Sequence, residues 1–280
     1  MHIRNVKQQR RSKVKNPKKA LFALLLLIPS VALVALELFP IGSFEDQVMN
    51  QMVQIILTRT MGSLVFIPLC LYMGYNVFGL TKTNRSKVLL CTLVPLAVVV
   101  NNFPIIGVIS GAAFVTKPYW YIPIFALESL MIGLFEEFAF RGVLFPYILE
   151  NRRNSSRSIF KATVISSAAF GAVHLFNLLS GGGVGGVILQ VGYSFLIGGM
   201  CAIVLLYTRC IWLCIALHAI YDFCGFLIPT LGEGVIWDPA TVTVTAVLGV
   251  FALVFMVLWL KRITPQQVEE IYAKNKKRID

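Results

Sequence analysis

The sequence predicts an all-α, polytopic membrane protein with eight transmembrane helices and both termini in the cytoplasm. Three observations lead there. The 280 residues are 57% hydrophobic and only 14% charged, whereas a soluble domain averages about 45–50% apolar and about 25% charged. Eight apolar segments can be placed, each near or above the ~20 residues that a helix needs to cross a bilayer. Basic residues gather on alternate connections between them, as the positive-inside bias requires.

The chain opens on a basic tail, residues 1–19, with eight Lys and Arg. The first apolar run, 20–42, is longer than the roughly 7–15 residues of a signal-peptide core, so it reads as a retained span. The remaining spans are expected at 58–80, 88–115, 119–149, 160–180, 185–207, 210–230 and 239–260. Connections on one side are basic: Thr81–Lys87, the stretch 151–161 with Arg152, Arg153, Arg157 and Lys161, and a tight Thr208–Arg209. Glu45 and Asp46, Lys117, the glycine-rich Gly181–Gly186 and the acidic Glu233–Asp238 fall on the other side. The chain divides into the tail, spans one to three (20–118), a core of spans four to seven (119–230), and the last span with a second basic tail (231–280).

The bilayer is therefore the first partner, and the protein is expected to be an integral, multi-pass protein, of the plasma membrane if the host is prokaryotic. The net charge of +12 sits mostly at the two ends, with six further Lys and Arg after Leu260. That distribution suits anionic headgroups and argues against nucleic acid. The six cysteines lie in or beside apolar segments and form no CxxC pair; they read as packing residues. Gly181–Gly186 follows no strand and reads as a flexible turn, not a phosphate loop.

Ionisable groups inside a span are costly in lipid and point to function. Span four carries Glu136, Glu137 and Arg141. Adjacent helical residues differ by about 100°, so the two carboxylates face different neighbours. Glu137 and Arg141 are i,i+4 partners in the favourable order, which makes Glu137 a structural brace. Glu136 has no local cation, and a desolvated carboxylate of that kind suits general acid–base work. Span five carries His174, with Phe170 one turn before it and Asn177 about one turn after; Asn177 or a span-four glutamate would partner the ring. Span seven carries His218 and Asp222, four apart on one face, with Asp222 in position to orient the imidazole. Glu128 is eight residues before Glu136 and lines the same cavity or pairs elsewhere. Buried ion pairs and a satisfied core histidine would explain each group singly. Gathering both intramembrane histidines with most of the intramembrane acids favours one shared site.

Two chemistries fit such a set. In one, Glu136 and His174 hold and deprotonate a water that attacks a peptide carbonyl, while His218, backed by Asp222, faces the developing oxyanion. In the other, Glu136, His174 and His218 bind Zn²⁺ with a position left open for water. HExxH and GxSxG are both absent, which removes the usual helical zinc-protease and serine-hydrolase signatures. A non-catalytic immunity or transport protein would use the same polar core for binding, but the inverted repeats and broken helices of a transporter are not seen.

Glu-Glu-Phe-Ala-Phe-Arg-Gly at 136–142, Phe-Gly-Ala-Val-His at 170–174 and His-Ala-Ile-Tyr-Asp at 218–222 resemble the ordered motifs EExxxR, FxxxH and HxxxN/D. These mark the CAAX protease and bacteriocin-processing (Abi) family, which includes the type II CAAX prenyl endopeptidases. The resemblance spans about 90 residues, from span four to span seven. It implies an eight-helix, glutamate-type intramembrane endopeptidase acting on a lipidated protein or a peptide precursor, with no metal favoured. It implies Glu136 and His174 as the water-activating pair, His218 and residue 222 as the oxyanion site, and Glu137 and Arg141 as support. The prenyl endopeptidases carry Asn at the last motif position where this chain has Asp222. An ionised carboxylate cannot donate a hydrogen bond, so Asp222 is expected to be protonated or to act through His218.

Overall fold

Helix boundaries in the computed structural model follow from local chemistry. It describes residue 36 and residues 44–79, 85–150, 152, 155–179 and 181–276. The expected basic tail 1–19, almost all of the first span and most of the Thr81–Lys87 connection lie outside the described residues. Asp46 accepts from the amide of Val48 at 2.7 Å and from that of Met49. It thereby caps α1, Gln47–Met73, since the first amides of a helix have no intrahelical acceptor. Gly74 ends α1 with a φ of 70°, the left-handed conformation that glycine adopts without penalty.

The apolar stretch expected to form one span over 88–115 is instead divided. α2, Arg85–Asn101, stops before Pro104, which lacks an amide and restricts the residue preceding it. A single turn, α3, Ile105–Ile109, and a short strand, β1, Ala113–Val115, follow. β1 pairs antiparallel with β2, Gly232–Gly234, in the register Ala113–Gly234, Phe114–Glu233 and Val115–Gly232.

The fourth expected span, 119–149, is one continuous helical run. It consists of α4, Tyr121–Glu137, a π-helical turn, Phe138–Leu144, and α5, Phe145–Glu150. The Phe145 amide donates to the Phe140 carbonyl, five residues back. Pro146 follows directly; it supplies no amide, and its ring crowds the carbonyl four residues earlier. A widened turn relieves that crowding.

α6, Ser156–Val173, begins at Ser155, whose hydroxyl accepts from the Ser158 amide, and tightens into a 3₁₀ turn over His174–Leu178. α7 covers Val184–Thr208 and α8 covers Ile211–Leu231. Asp238 caps α9, Pro239–Arg262, by accepting from Ala240 and Thr241, with proline at the first helical position. α10, Pro265–Lys276, lies in the region read as a basic tail. Its Val268, Ile271 and Tyr272 are buried, and the Tyr272 hydroxyl donates to the Pro146 carbonyl at 2.7 Å.

Among the described residues, five helices are long and apolar enough to cross a membrane: α1, α6 with its 3₁₀ turn, α7, α8 and α9. α7 lies at the centre, and every residue from Ile197 to Thr208 is buried. α9 has the highest mean hydropathy of the five yet the smallest share of its apolar window buried. A helix apolar all round and barely packed calls for lipid, not water, on its open face. The chain is accordingly an integral, multi-pass membrane protein.

The two ends of the bundle differ. At one, Lys117 and the Tyr121 hydroxyl donate to the other oxygen of the Asp46 carboxylate, near the β1–β2 ribbon, where Thr116 and Lys117 donate to the Leu231 carbonyl. At the other, Asn76 donates to Ile271, Ser156 to Ile263, and Arg209 pairs with Glu270. Asp46, Lys117 and β2 thus share one end, and Asn76, Ser156, Arg209 and α10 share the other.

The Lys117 ammonium, helped by the α1 amides and the Tyr121 hydroxyl, holds the Asp46 carboxyl down to about 2. A depressed folded value means stability that is complete above the unfolded value of ~3.9 and lost as pH falls through the folded one. Asp46→Ala is therefore expected to lower the unfolding temperature in detergent at pH 7, with the gap to wild type narrowing as pH approaches 2. A gap that stays constant over that range would show that the ionised carboxylate is not what matters.

Candidate active site

Glu136, Glu137, His218 and Asp222 come together because α4 and α8 approach closely. A Cβ on Gly133 would lie 3.1 Å from the Ile215 carbonyl oxygen and 3.2 Å from the Ala219 amide nitrogen. Glycine there lets the two backbones meet. It does so one turn from Glu136 and Glu137 on α4 and beside His218 on α8. On α7, Gly198 serves a similar purpose: a Cβ there would meet the Arg141 guanidinium and the Phe170 ring, each at 3.0 Å.

Glu137 is fully buried and central. Its Oε1 lies 3.0 Å from Arg141 Nη1, the expected i,i+4 ion pair, and 2.8 Å from His218 Nδ1. A carboxylate only accepts, so His218 Nδ1 carries the hydrogen and donates it. The Arg141 contact is an ion pair rather than an aligned hydrogen bond. Its guanidinium carbon also sits 4.3 Å from the Phe170 ring centroid, a cation–π geometry. Arg141 itself lies in the π turn, so the EExxxR motif straddles the passage from α to π helix. Single π turns are frequent at functional sites.

The opposite nitrogen, His218 Nε2, faces two more carboxylates. Asp222 Oδ2 lies 3.4 Å away and Glu136 Oε2 3.7 Å away. Both oxygens are buried without a hydrogen-bond partner. Asp222 thus lies against the His218 ring as expected, at Nε2 beside Glu136, while Glu137 holds Nδ1.

His174 is positioned differently from the expectation. It lies in the 3₁₀ turn, and its Nδ1 donates to the Phe170 carbonyl at 3.1 Å. A carbonyl oxygen only accepts, so Nδ1 carries that hydrogen and Nε2 is the nitrogen left to meet a water or substrate. Its ring meets Phe170 edge-on at 5.4 Å, and Phe170 in turn meets His218 at 5.7 Å. The Phe170 ring thus contacts both imidazoles, and His174 makes no direct contact with Glu136. Asn177, expected as a partner for His174, instead donates to Gln190 Oε1 at 2.7 Å. Glu128 is buried on α4, with Oε2 unpartnered. Among the described residues, no three His, Cys, Asp or Glu side chains converge to hold a metal ion. The zinc set Glu136, His174 and His218 is not assembled in this arrangement.

A cavity of about 30 Å³ borders the site, lined among others by Phe170, His174, Gln190, Tyr193, His218 and Asp222. A volume of that order has room for a water or two. The α7 residues on its wall were not expected. No charge or motif marks them, and only their i, i+3 spacing on a glycine-rich helix hints at a shared face.

Residues 118–224 match the family described as type II CAAX prenyl endopeptidase Rce1-like. That range contains Glu136, Glu137, Arg141, His174, His218 and Asp222. Comparison with curated proteins and with solved structures finds no match. The helices that bring the motifs together lie within the matched range, so residues 118–224 of this multi-pass membrane protein are similar to the Rce1-like type II CAAX prenyl endopeptidases.

Proposed function

We propose that the protein is a glutamate-dependent intramembrane endopeptidase that hydrolyses the peptide bond of a CAAX-type lipidated substrate. The observation that carries this reading is the approach of Glu136 Oε2 and Asp222 Oδ2 to His218 Nε2, at 3.7 and 3.4 Å, within the matched domain. The cavity beside them, bordered by His174, His218 and Asp222, has room for a water next to these groups.

In the proposed reaction Glu136 takes a proton from that water as its oxygen attacks the carbonyl carbon. His174 Nε2 accepts the water's other hydrogen and aligns it. The carbonyl oxygen becomes an oxyanion facing His218, whose ring orientation is set by Glu137 through Nδ1. Collapse of the tetrahedral intermediate breaks the C–N bond, and Glu136 returns its proton to the leaving nitrogen. The products are a new C-terminal carboxylate and a released peptide with a free amine. Arg141 pairs with Glu137 inside the bundle, and Asn177 supports the 3₁₀ turn beside His174.

The proposal includes eight spans, with 20–42 as the first and the run Tyr121–Glu150 as the fourth, and with both basic termini in the cytoplasm. The 119–230 core carries the chemistry. The end bearing Asn76, Arg209 and α10 then faces the cytoplasm, and the plasma membrane is the location in a prokaryotic host. Charge on the connections supports that orientation.

The test is direct. Purified full-length protein in lipid vesicles should cleave a fluorogenic farnesylated CAAX peptide between the prenylated cysteine and the next residue. Cleavage should survive exhaustive chelation, and the active protein should contain no stoichiometric zinc. Loss of activity on chelation, restored by Zn²⁺, would favour the metal mechanism. No cleavage of prenylated or unprenylated peptide would favour a non-catalytic role.

A further inference from the structure

The carboxylates around His218 leave this site rich in acceptors. Glu136 Oε2 and Asp222 Oδ2 both face Nε2, and Glu137 occupies Nδ1. Ionised carboxylates accept hydrogen bonds and cannot donate them. An oxyanion needs the reverse: donors aimed at the oxygen as charge develops. Uncharged donors border the cavity too: Tyr221 on α8, and Gln190, Tyr193 and Ser194 on α7. With Ile197, the α7 residues line it opposite His218 and Asp222. Their spacing, i, i+3, i+4 and i+7, makes one helical face.

Within that face Gln190 is held by a hydrogen bond from the turn that carries His174. Its Oε1 accepts from Asn177 Nδ2 at 2.7 Å. The carboxamide is planar, so holding the oxygen toward Asn177 turns the NH₂ group away from it with its donors unspent. The bond links the 3₁₀ turn that carries His174 to the helix that closes the cavity. A terminal amide rotor costs little to turn unless something holds it, and Asn177 holds this one.

We propose that Gln190 is a substrate-contacting residue whose amide donates to the scissile carbonyl oxygen, and that Asn177 positions it. The proposal rests on the endopeptidase reading above. Gln190 faces the oxygen from α7 while His218 faces it from α8. The two together supply what the carboxylates cannot.

The experiment uses full-length protein in vesicles and the farnesylated CAAX peptide, with wild type and Glu136→Gln run alongside. Gln190→Glu keeps the length of the side chain and an acceptor for Asn177 but removes the donors. It should lower kcat about 100-fold, the usual loss for one oxyanion donor, with KM little changed and the unfolding temperature preserved. Gln190→Met, which lacks the donors without adding charge, should show the same kcat loss. Asn177→Asp presents an acceptor in place of the donor, so the Gln190 amide should flip and kcat should fall in the same direction. Adding Asp222→Asn to Gln190→Glu returns a donor to the cavity and should recover about tenfold of kcat, roughly half of that loss in free-energy terms. A purely structural Gln190 would not be rescued in that way. If Glu136→Gln is inactive while Gln190→Glu and Gln190→Met keep wild-type kcat, the inference is overturned and the endopeptidase reading stands. If wild type does not cleave, both fall together.

Discussion

Glu136→Gln is expected to reduce peptide cleavage by at least about 10³-fold, within the range that a positioned general base contributes. The substitution is nearly isosteric, and Glu136 Oε2 has no hydrogen-bond partner to lose. Fold, expression and substrate binding should therefore survive, and the loss should fall on kcat. Glu136→Asp is a sharper probe. It keeps the carboxylate but draws it back along the side chain by about the length of one C–C bond. A misplacement of about 1 Å costs roughly 10²-fold in a reaction that depends on a near-attack geometry, so an intermediate rate is expected. Single-turnover cleavage of the prenylated peptide, with thermal unfolding as the control, reads both. Activity of Glu136→Gln within tenfold of wild type would remove Glu136 from the role of base.

Much of this centre was legible in the order of the residues. The Glu137–Arg141 pair followed from i,i+4 spacing, and the membrane class followed from the scarcity of charge and its collection on alternate connections. Gathering of Glu136, His218 and Asp222 followed from the cost of leaving each alone in lipid. The division of labour did not follow. Helical geometry separates Glu136 from Glu137 by about 100°, which says that they face different neighbours without saying which neighbour each meets. Only the crossing of α4 over α8 at Gly133 decides that Glu137 meets Nδ1. The same limit hid Gln190, an uncharged residue whose role depends on what lies opposite. The third apolar stretch read as one span because every part of it is apolar. Pro104 was the warning, and the three-residue strand after it is stabilised by pairing with residues 232–234, more than a hundred positions away. The π turn leaves no signature in hydrophobic period; Pro146 is its local cause and was not read as such.

Glu137→Gln is expected to be damaging too, for a different reason. A glutamine at 137 offers His218 Nδ1 either its NH₂ or a neutral oxygen in place of the carboxylate. Either way the ring loses the anionic partner that holds it, and Nε2 is displaced from the oxyanion. A misplacement of about 1 Å costs roughly 10²-fold, so a fall of about that size in kcat is expected here. A second cost follows from Arg141, which is buried with a relative side-chain exposure of 1% beside a Glu137 at 0%. Removing one member of a buried ion pair leaves the other uncompensated, at about 3–5 kcal/mol. Glu137→Gln should therefore lose stability as well as turnover, whereas Glu136→Gln should lose turnover alone. The paired variant Glu137→Gln with Arg141→Met separates the two costs, because it removes the stranded cation while leaving the histidine wrongly held. Unfolding temperature should recover toward wild type and cleavage should not. Recovery of both would make Glu137 a structural brace only, as first read from its i,i+4 partner, and would return the task of orienting His218 to Asp222.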